Sequence, residues 1–207
     1  MIKGIHACTI AVALCIALLF QVGCASRSKS SSFYVLSPVA VTELELKKAS
    51  AGSGDVAIGI SPVFVPKYLK KSQIVTRTGN NELHLAEYDR WAGKIEEDIG
   101  RVIAENLSHL LVTDKVLSYP SMGVIEFDYN IKIDISRFEG RLGGDIELIA
   151  RWAVFDGKGN TLYGVKATRI IEPAKGRDYT EIVAAQSRAL AVFSREVAET
   201  IKELNGT

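Results

Sequence analysis

Polar and apolar residues follow two different periods along this chain, and the switch between them marks most of its elements. From Glu126 to Ser136 the alternation is strict. Phe127, Tyr129, Ile131, Ile133 and Ile135 are apolar, and Glu126, Asp128, Asn130, Lys132, Asp134 and Ser136 between them are polar. A period of two places alternate side chains on opposite faces of a strand, one buried and one wet. Arg141-Leu142-Gly143-Gly144 reads as a turn and Asp145 to Phe155 as a second long strand. Asp156 to Asn160 is a tight loop, and Thr161 to Ile171 a third strand that Glu172-Pro173 stops. Long strands joined by short Gly-rich loops predict an antiparallel meander. Earlier strands are shorter. Phe33-Tyr34-Val35-Leu36 is β-prone and ends at Ser37-Pro38, and Asp55 to Val65 predicts a strand bent at Pro62 and closed by Pro66. Gln73 to Thr78 and Glu82 to Leu85 flank Gly79-Asn80-Asn81 as a hairpin does.

From Tyr88 the spacing changes to steps of three and four. Trp91, Ile95, Ile99, Val102, Ile103, Leu107, Leu110 and Leu111 predict an amphipathic helix of about six turns, with Lys94, Glu97, Asp98, Arg101 and Glu105 on its wet face. Thr113-Asp114 ends it, and Tyr119-Pro120-Ser121 reads as a connection. A second helix begins near Asp178-Tyr179-Thr180. Ile182, Ala185, Ala189, Val192, Phe193, Val197, Ile201 and Leu204 line one face, and Asn205-Gly206 is the stop. These elements predict an α+β fold: a single domain with a mixed, mostly antiparallel sheet and two long amphipathic helices packed on one face. Residues 39–54 are mixed and end in the loop signature Ser50-Ala51-Gly52-Ser53-Gly54.

The beginning of the chain does not fit that domain. Ile10 to Phe20 is an unbroken apolar run behind Lys3. It is shorter than the roughly 20 residues a membrane-spanning helix needs, and it suits the apolar region of a secretory signal. Gln21-Val22-Gly23-Cys24 resembles a bacterial lipobox, with Gln21 standing where an apolar residue is usual. The expectation is cleavage before Cys24 and lipidation of its sulfur and its freed amine, an anchor of several acyl chains such as palmitate. At about 0.8 kcal/mol per buried methylene such an anchor is effectively permanent. Ala25 follows, not the Asp typical of retention at the inner membrane, so outer-membrane anchoring facing the periplasm is expected. The organisation expected is thus a signal peptide at 1–23, a lipidated cysteine with a Ser-rich tether at 24–32, and a periplasmic domain at 33–207. Seven residues of coil from Ser26 to Ser32 reach only about 15 Å, which keeps that domain close to its membrane.

Composition then removes several classes of function. The full chain has 25 Lys and Arg against 24 Asp and Glu, and Lys3 goes with the signal. A neutral chain lacks the basic excess with which nucleic-acid binders neutralise phosphate. Three cysteines lie at Cys8, Cys15 and Cys24, so the mature chain keeps one. A disulfide framework and a cysteine metal site are both excluded. Of three histidines His6 falls in the signal, and His84 and His109 lie far apart without carboxylates at ligand spacing. No nucleophile elbow is present, and the glycines at 140–144 precede no Lys-Ser/Thr pair, so they are turn residues and not a phosphate loop. Glu96-Glu97-Asp98 reads as a solvated helix face, and Trp91 and Trp152 as core. No catalytic residue, metal or cofactor is expected, and the chain is not read as an enzyme. Pro66-Lys67-Tyr68-Leu69-Lys70-Lys71 sets an aromatic and a leucine among three lysines; it suits a plain connector and an exposed recognition loop equally well.

Several strings in this region are similar to one family. Pro66-x-Tyr68-Leu69, Gln73-Ile74-Val75-Thr76-Arg77, Arg90-Trp91-Ala92 and Ala104-Glu105-Asn106-Leu107 resemble the ABC-type transport auxiliary lipoproteins, the PqiC-like lipoproteins. Phe33 to Leu36 after the lipobox matches that family's entry strand. The resemblance spans the lipobox and most of the mature chain and is densest between residues 62 and 111. It implies an accessory subunit without chemistry of its own. Its implied partners are an MCE-domain protein and, through it, an inner-membrane ABC permease and ATPase, in a system that moves lipid between membranes or maintains the envelope. The docking surface expected is Pro66, Tyr68, Leu69, Gln73, Thr76 and Arg77, beside the lipidation site Cys24. A ring bridging the membranes would need self-association, for which sheet edges are suited. Two other readings stay open: a lipid carrier binding between sheet and helices, and a structural lipoprotein that assembles an outer-membrane β-barrel or secretion channel.

Overall fold

The computed structural model describes residues 29–38, 56–121, 123 and 126–206. The signal, Cys24, most of the tether and the loop signature at 50–54 lie outside them. Residues 31–207 form one compact unit. The predicted meander forms as β6 (Tyr129–Gly140), β7 (Asp145–Asp156) and β8 (Thr161–Pro173), each antiparallel to the next. Ile131, Ile133 and Ile135 of β6 and Ile146, Leu148, Ala150, Trp152 and Val154 of β7 are buried, as the alternation dictates. The bend at Pro62 is also present. β2 (Ile58–Ile60) pairs parallel with β6, and past the proline Phe64 alone resumes a parallel bridge to Asp134. Val63 and Val65 on either side point into the core and leave Phe64 facing out.

Two sheets stand where the sequence predicts one. β2 joins the meander and β5 (Val116–Ser118) in the order β5-β2-β6-β7-β8. β1 (Ser32–Tyr34), β3 (Gln73–Arg77) and β4 (Leu83–Trp91) form a separate sheet in the order β1-β4-β3. β5 occupies ground read from sequence as a plain connection. It is a short edge strand whose partner, β2, lies far away in the chain, so no local pattern marks it.

The first helix is shorter than predicted. α1 spans Ile95–Leu111, and Tyr88 to Trp91 are the end of β4. The three-residue step from Tyr88 to Trp91 fits a helix, but here the backbone has partners on both sides. β1 pairs parallel with Asp89 to Trp91, and the Trp91 N–H donates to Ser72 O at 2.7 Å. Satisfying both edges of a strand outweighs a helical spacing carried by two residues. α2 spans Tyr179–Leu204, and its N-cap Asp178 accepts from the Glu181 N–H as sequence predicts.

α1 and α2 pack side by side on one face of the five-stranded sheet, α1 over β2 and β5 and α2 over β7 and β8. Trp152 fills the centre of that layer. Its ring stacks on Tyr163 at 5.5 Å and meets Phe193 edge-on at 6.0 Å. Its indole N–H donates to Thr168 Oγ1 at 3.0 Å, which satisfies the one polar atom buried with it. A second polar pair lies in the same layer. Asn106 of α1 donates to Ser194 Oγ of α2 at 3.2 Å within it.

The end of α1 carries strain. Its C-cap Val112 has φ 50°, ψ 54° while its N–H bonds Ser108 O. A β-branched residue in the left-handed region costs about 1–2 kcal/mol, and helices commonly place glycine there. Val112→Gly is therefore expected to raise stability by about 0.5–1 kcal/mol, part of the gain being lost to glycine's unfolded-state entropy. Urea unfolding checks it; a midpoint below that of the wild type refutes the strain.

Candidate functional site

The loop between Phe64 and β3 is built by one turn and one anchor. The Leu69 N–H donates to Pro66 O at 3.0 Å, and the Leu69 side chain is buried in the core. That anchor leaves Lys67, Lys70 and Lys71 exposed around it, with Tyr68 and Pro66 half-buried. Lys70 Nζ lies 3.5 Å from Glu96 Oε1 in the first turn of α1. On β3, Thr76 is buried, and Gln73 and Arg77 are half-buried. Of the six residues proposed for docking, four thus retain surface, whereas Leu69 and Thr76 serve the core.

Tyr68 and Arg77 converge on a residue that sequence reasoning missed. The Tyr68 hydroxyl donates to Glu139 Oε2 at 3.2 Å and the Arg77 Nε donates to Oε1 at 2.7 Å. The side chain of Glu139 is 0% exposed, so the carboxylate is held by protein alone, and the Phe138 N–H adds a third bond at 3.0 Å. Arg77 also donates through Nη1 to Asn80 O at 2.9 Å, which ties the β3–β4 turn to the same cluster. Outward from Glu139, Arg137 approaches at 3.5 Å and pairs with Glu147, and Arg169 Nε donates to Glu147 at 2.6 Å. The chain of charges runs from β3 across β6, β7 and β8 and joins the two sheets. A register shift between Ile135 and Arg137 makes it possible. The extra residue puts Phe138 on the helix-covered face and turns Arg137 and Glu139 together toward β3.

The cluster's electrostatics follow from its burial. Burial, then the charge and hydrogen bond of Glu139, push the Tyr68 hydroxyl above its ordinary pKa, so it stays a donor. Burial works to lower Arg77, but the hydrogen bond and charge of Glu139 outweigh it and raise the guanidinium further. Neither group is poised to exchange a proton near neutral pH. The arrangement can hold a loop and present lysines; it is not a general acid-base site. Elsewhere His84 is exposed on β4 and His109 sits on α1. Among the described residues no group of three His, Cys, Asp or Glu is placed to hold a metal, and no helix is long and apolar enough to cross a membrane. The acidic turn of α1 does more than meet solvent. Asp98 Oδ2 accepts the Leu36 N–H at 2.7 Å, and Arg101 donates to Leu36 O at 2.8 Å.

Comparison with known proteins extends this picture. A family described as "ABC-type transport auxiliary lipoprotein component" matches residues 34–198. The chain is 25% identical over 190 residues to the intermembrane transport lipoprotein PqiC of Escherichia coli, covering 91% of this chain and 96% of that one. It is equally similar to the Shigella flexneri protein of the same name. Among solved structures, protein XCC0632 from Xanthomonas campestris superposes with a TM-score of 0.65 at 14% identity, over 85% of this chain and 97% of that one. A second crystal structure, of an uncharacterized protein, gives 0.67 at 18% identity over 84% of this chain and 99% of that one. At such identities the structural likenesses establish the fold.

Proposed function

The chain belongs to the ABC-type transport auxiliary lipoprotein family, a family of transport components and not of enzymes, and on that premise we propose that it is a non-catalytic accessory subunit of an intermembrane lipid transport system. Cys24 anchors it by lipid to the outer membrane, facing the periplasm, and the folded domain docks an MCE-domain protein that reaches an inner-membrane ABC permease and ATPase. The observation that carries this reading is the match over 34–198, together with near-complete coverage of both chains in the alignment with PqiC. A lipid tether confines the domain near its partner's end and raises its effective concentration there, so docking needs no chemistry.

The docking surface in this reading is the 66–71 loop with its β3 neighbours. Pro66, Tyr68, Gln73 and Arg77 contribute contact area, Leu69 and Thr76 hold the backbone, and Lys67 and Lys71 add charge. The buried Glu139 fixes this surface before the partner arrives, which lowers the ordering cost of binding.

The test is a crosslinking pull-down from native membranes. Wild type is expected to recover the MCE-domain protein, and a Lys67→Glu/Lys71→Glu double variant, exposed at both positions and hence folded, to recover at least about tenfold less. Undiminished recovery moves the docking surface elsewhere. Recovery of a β-barrel protein and no MCE protein selects the barrel-assembly role in its place. In cells fed a labelled palmitate, Cys24→Ala is expected to abolish incorporation of label into the protein; undiminished labelling means the anchor is not at Cys24.

A further inference from the structure

The five-stranded sheet has helices on one face only. On its open face a groove of about 420 Å³ crosses β6, β7 and β8. Ala153 forms its floor, and Phe64, Phe155 and Val165 line it as apolar walls. Phe64 is 66% exposed and Val165 75% exposed, far more than a folded chain needs to leave uncovered at two neighbouring sites. Two cations stand in the same groove. Lys132 Nζ lies 4.3 Å from the centre of the Phe155 ring, and Arg151 is the exposed cross-strand partner of Asp134, with no ion pair between them among the described residues. By contrast Arg77, Arg101, Arg137, Lys166, Arg169 and Arg188 all hold carboxylates.

We propose that this groove docks an acidic, apolar segment of the partner protein, its apolar side chain entering over Ala153 and its carboxylate meeting Arg151 and Lys132. The inference rests on the docking role proposed above and extends its surface. Phe64 is the hinge of that extension: it walls this groove and also a neighbouring crevice lined by Lys70 of the docking loop. A strip therefore runs from Lys70 past Phe64 to Arg151; in the crevice Lys70 and Lys94 are paired with Glu96 and Glu97, so among the described residues of the strip the unpaired cations lie in the groove. In the groove Lys132 and Arg151 outnumber Asp134, and this excess favours an acidic occupant. A second copy paired with this face about a two-fold axis would set these cations against each other. A flat anionic bilayer fits poorly, because the apolar floor is recessed and Asp134 lies beside it.

The experiment places a photoreactive phenylalanine analogue at Val165, and separately at Lys67, in the full lipidated chain in native envelopes, and maps the adducts by mass spectrometry. Both positions tolerate substitution because both are exposed, and thermal melting verifies it. The expected result is that both capture the same MCE-domain protein, the Val165 adduct falling in a segment with net negative charge. The Lys132→Gln/Arg151→Gln double variant should then bind the purified MCE-domain partner about tenfold more weakly and with a shallower salt dependence. Capture at Lys67 with phospholipid, a second copy or nothing at Val165 overturns the groove and leaves the docking role standing. Capture of the MCE-domain protein at Val165 alone supports the groove and removes the loop. Failure at both positions overturns the docking role and the groove with it.

Discussion

Glu139→Ala is expected to lower the stability of the domain by about 3 kcal/mol, a drop in melting temperature of about 10 °C. The residue's side chain is 0% exposed, and three donors converge on it: Arg77 at 2.7 Å, Tyr68 at 3.2 Å and the Phe138 N–H at 3.0 Å. Truncation leaves a guanidinium and a hydroxyl that were placed to serve one carboxylate. Breaking a buried pair costs roughly 3–5 kcal/mol because the remaining charge stays desolvated. The side chain of Arg77 is 18% exposed and recovers some water, which puts the figure at the low end. Glu139→Gln keeps an acceptor for Tyr68 and should cost about half as much. Urea unfolding of both variants gives the comparison. An alanine variant within about 1 kcal/mol of wild type would mean that the cluster is hydrated and does not join the sheets. Because the same bonds fix the 66–71 loop, the alanine variant should also expose that loop to proteolysis.

Gly140→Ala is the second large effect, again about 3 kcal/mol. Gly140 closes β6 where the hairpin turns back. A Cβ built there lies 2.0 Å from Asp145 O and 2.8 Å from the Asp145 carbonyl carbon. Both are backbone atoms of the facing strand, so no side chain can swing away to make room. The two strands must part, and the Gly144 N–H to Arg141 O bond that closes the turn goes with them. Gly164, on β8, is the control. Nothing lies within 4 Å of its added Cβ, and alanine there should be neutral or slightly stabilising. Paired thermal melts of the two variants decide it, and equal melting temperatures would refute the steric account.

What could be read from the residues alone follows from how local each signal is. The alternation from Phe127 to Ile135 needs only one wet and one dry face, and it locates β6 up to the bulge, while the stretch from Arg137 to Gly140 lies beyond it. The Asp178 cap and Asn205-Gly206 stop likewise bound α2 from within the chain. The end of β4 escapes the local pattern because its last residues, Tyr88 to Trp91, are defined by distant partners in β3 and β1, such as Gln73 for Arg90 and Ser32 for Asp89. The division into two sheets has the same cause: pairing across the chain decides it, and no window of sequence contains both partners. Within the docking region the family strings pointed to Tyr68 and Arg77 but not to the carboxylate that holds them. Glu139 lies four residues past Ile135, so strict alternation would set it on the helix-covered face with the isoleucines; the bulge moves it to the opposite face, under the loop. A glutamate beside Arg137 and Gly140 at the end of a strict strand was the signal available, and it is a weak one. Leu69 and Thr76, in the same strings, are buried and build the backbone that presents the others.

The grip on Leu36 has a mechanical meaning. A domain held by its first residues takes any tug through β1, which is only Ser32–Tyr34 and lies at the edge of its sheet. β1 runs parallel to β4, so a pull along the strand shears its bonds together and does not open them one at a time. Should that short ladder slip, the next residue loaded is Leu36, buried in the core and pinned through both backbone groups to Asp98 and Arg101 of α1. Force entering through β1 thus loads the edge of the three-stranded sheet first, and the Leu36 latch on α1 takes it up next, so it passes to a helix and not along β4 to β3.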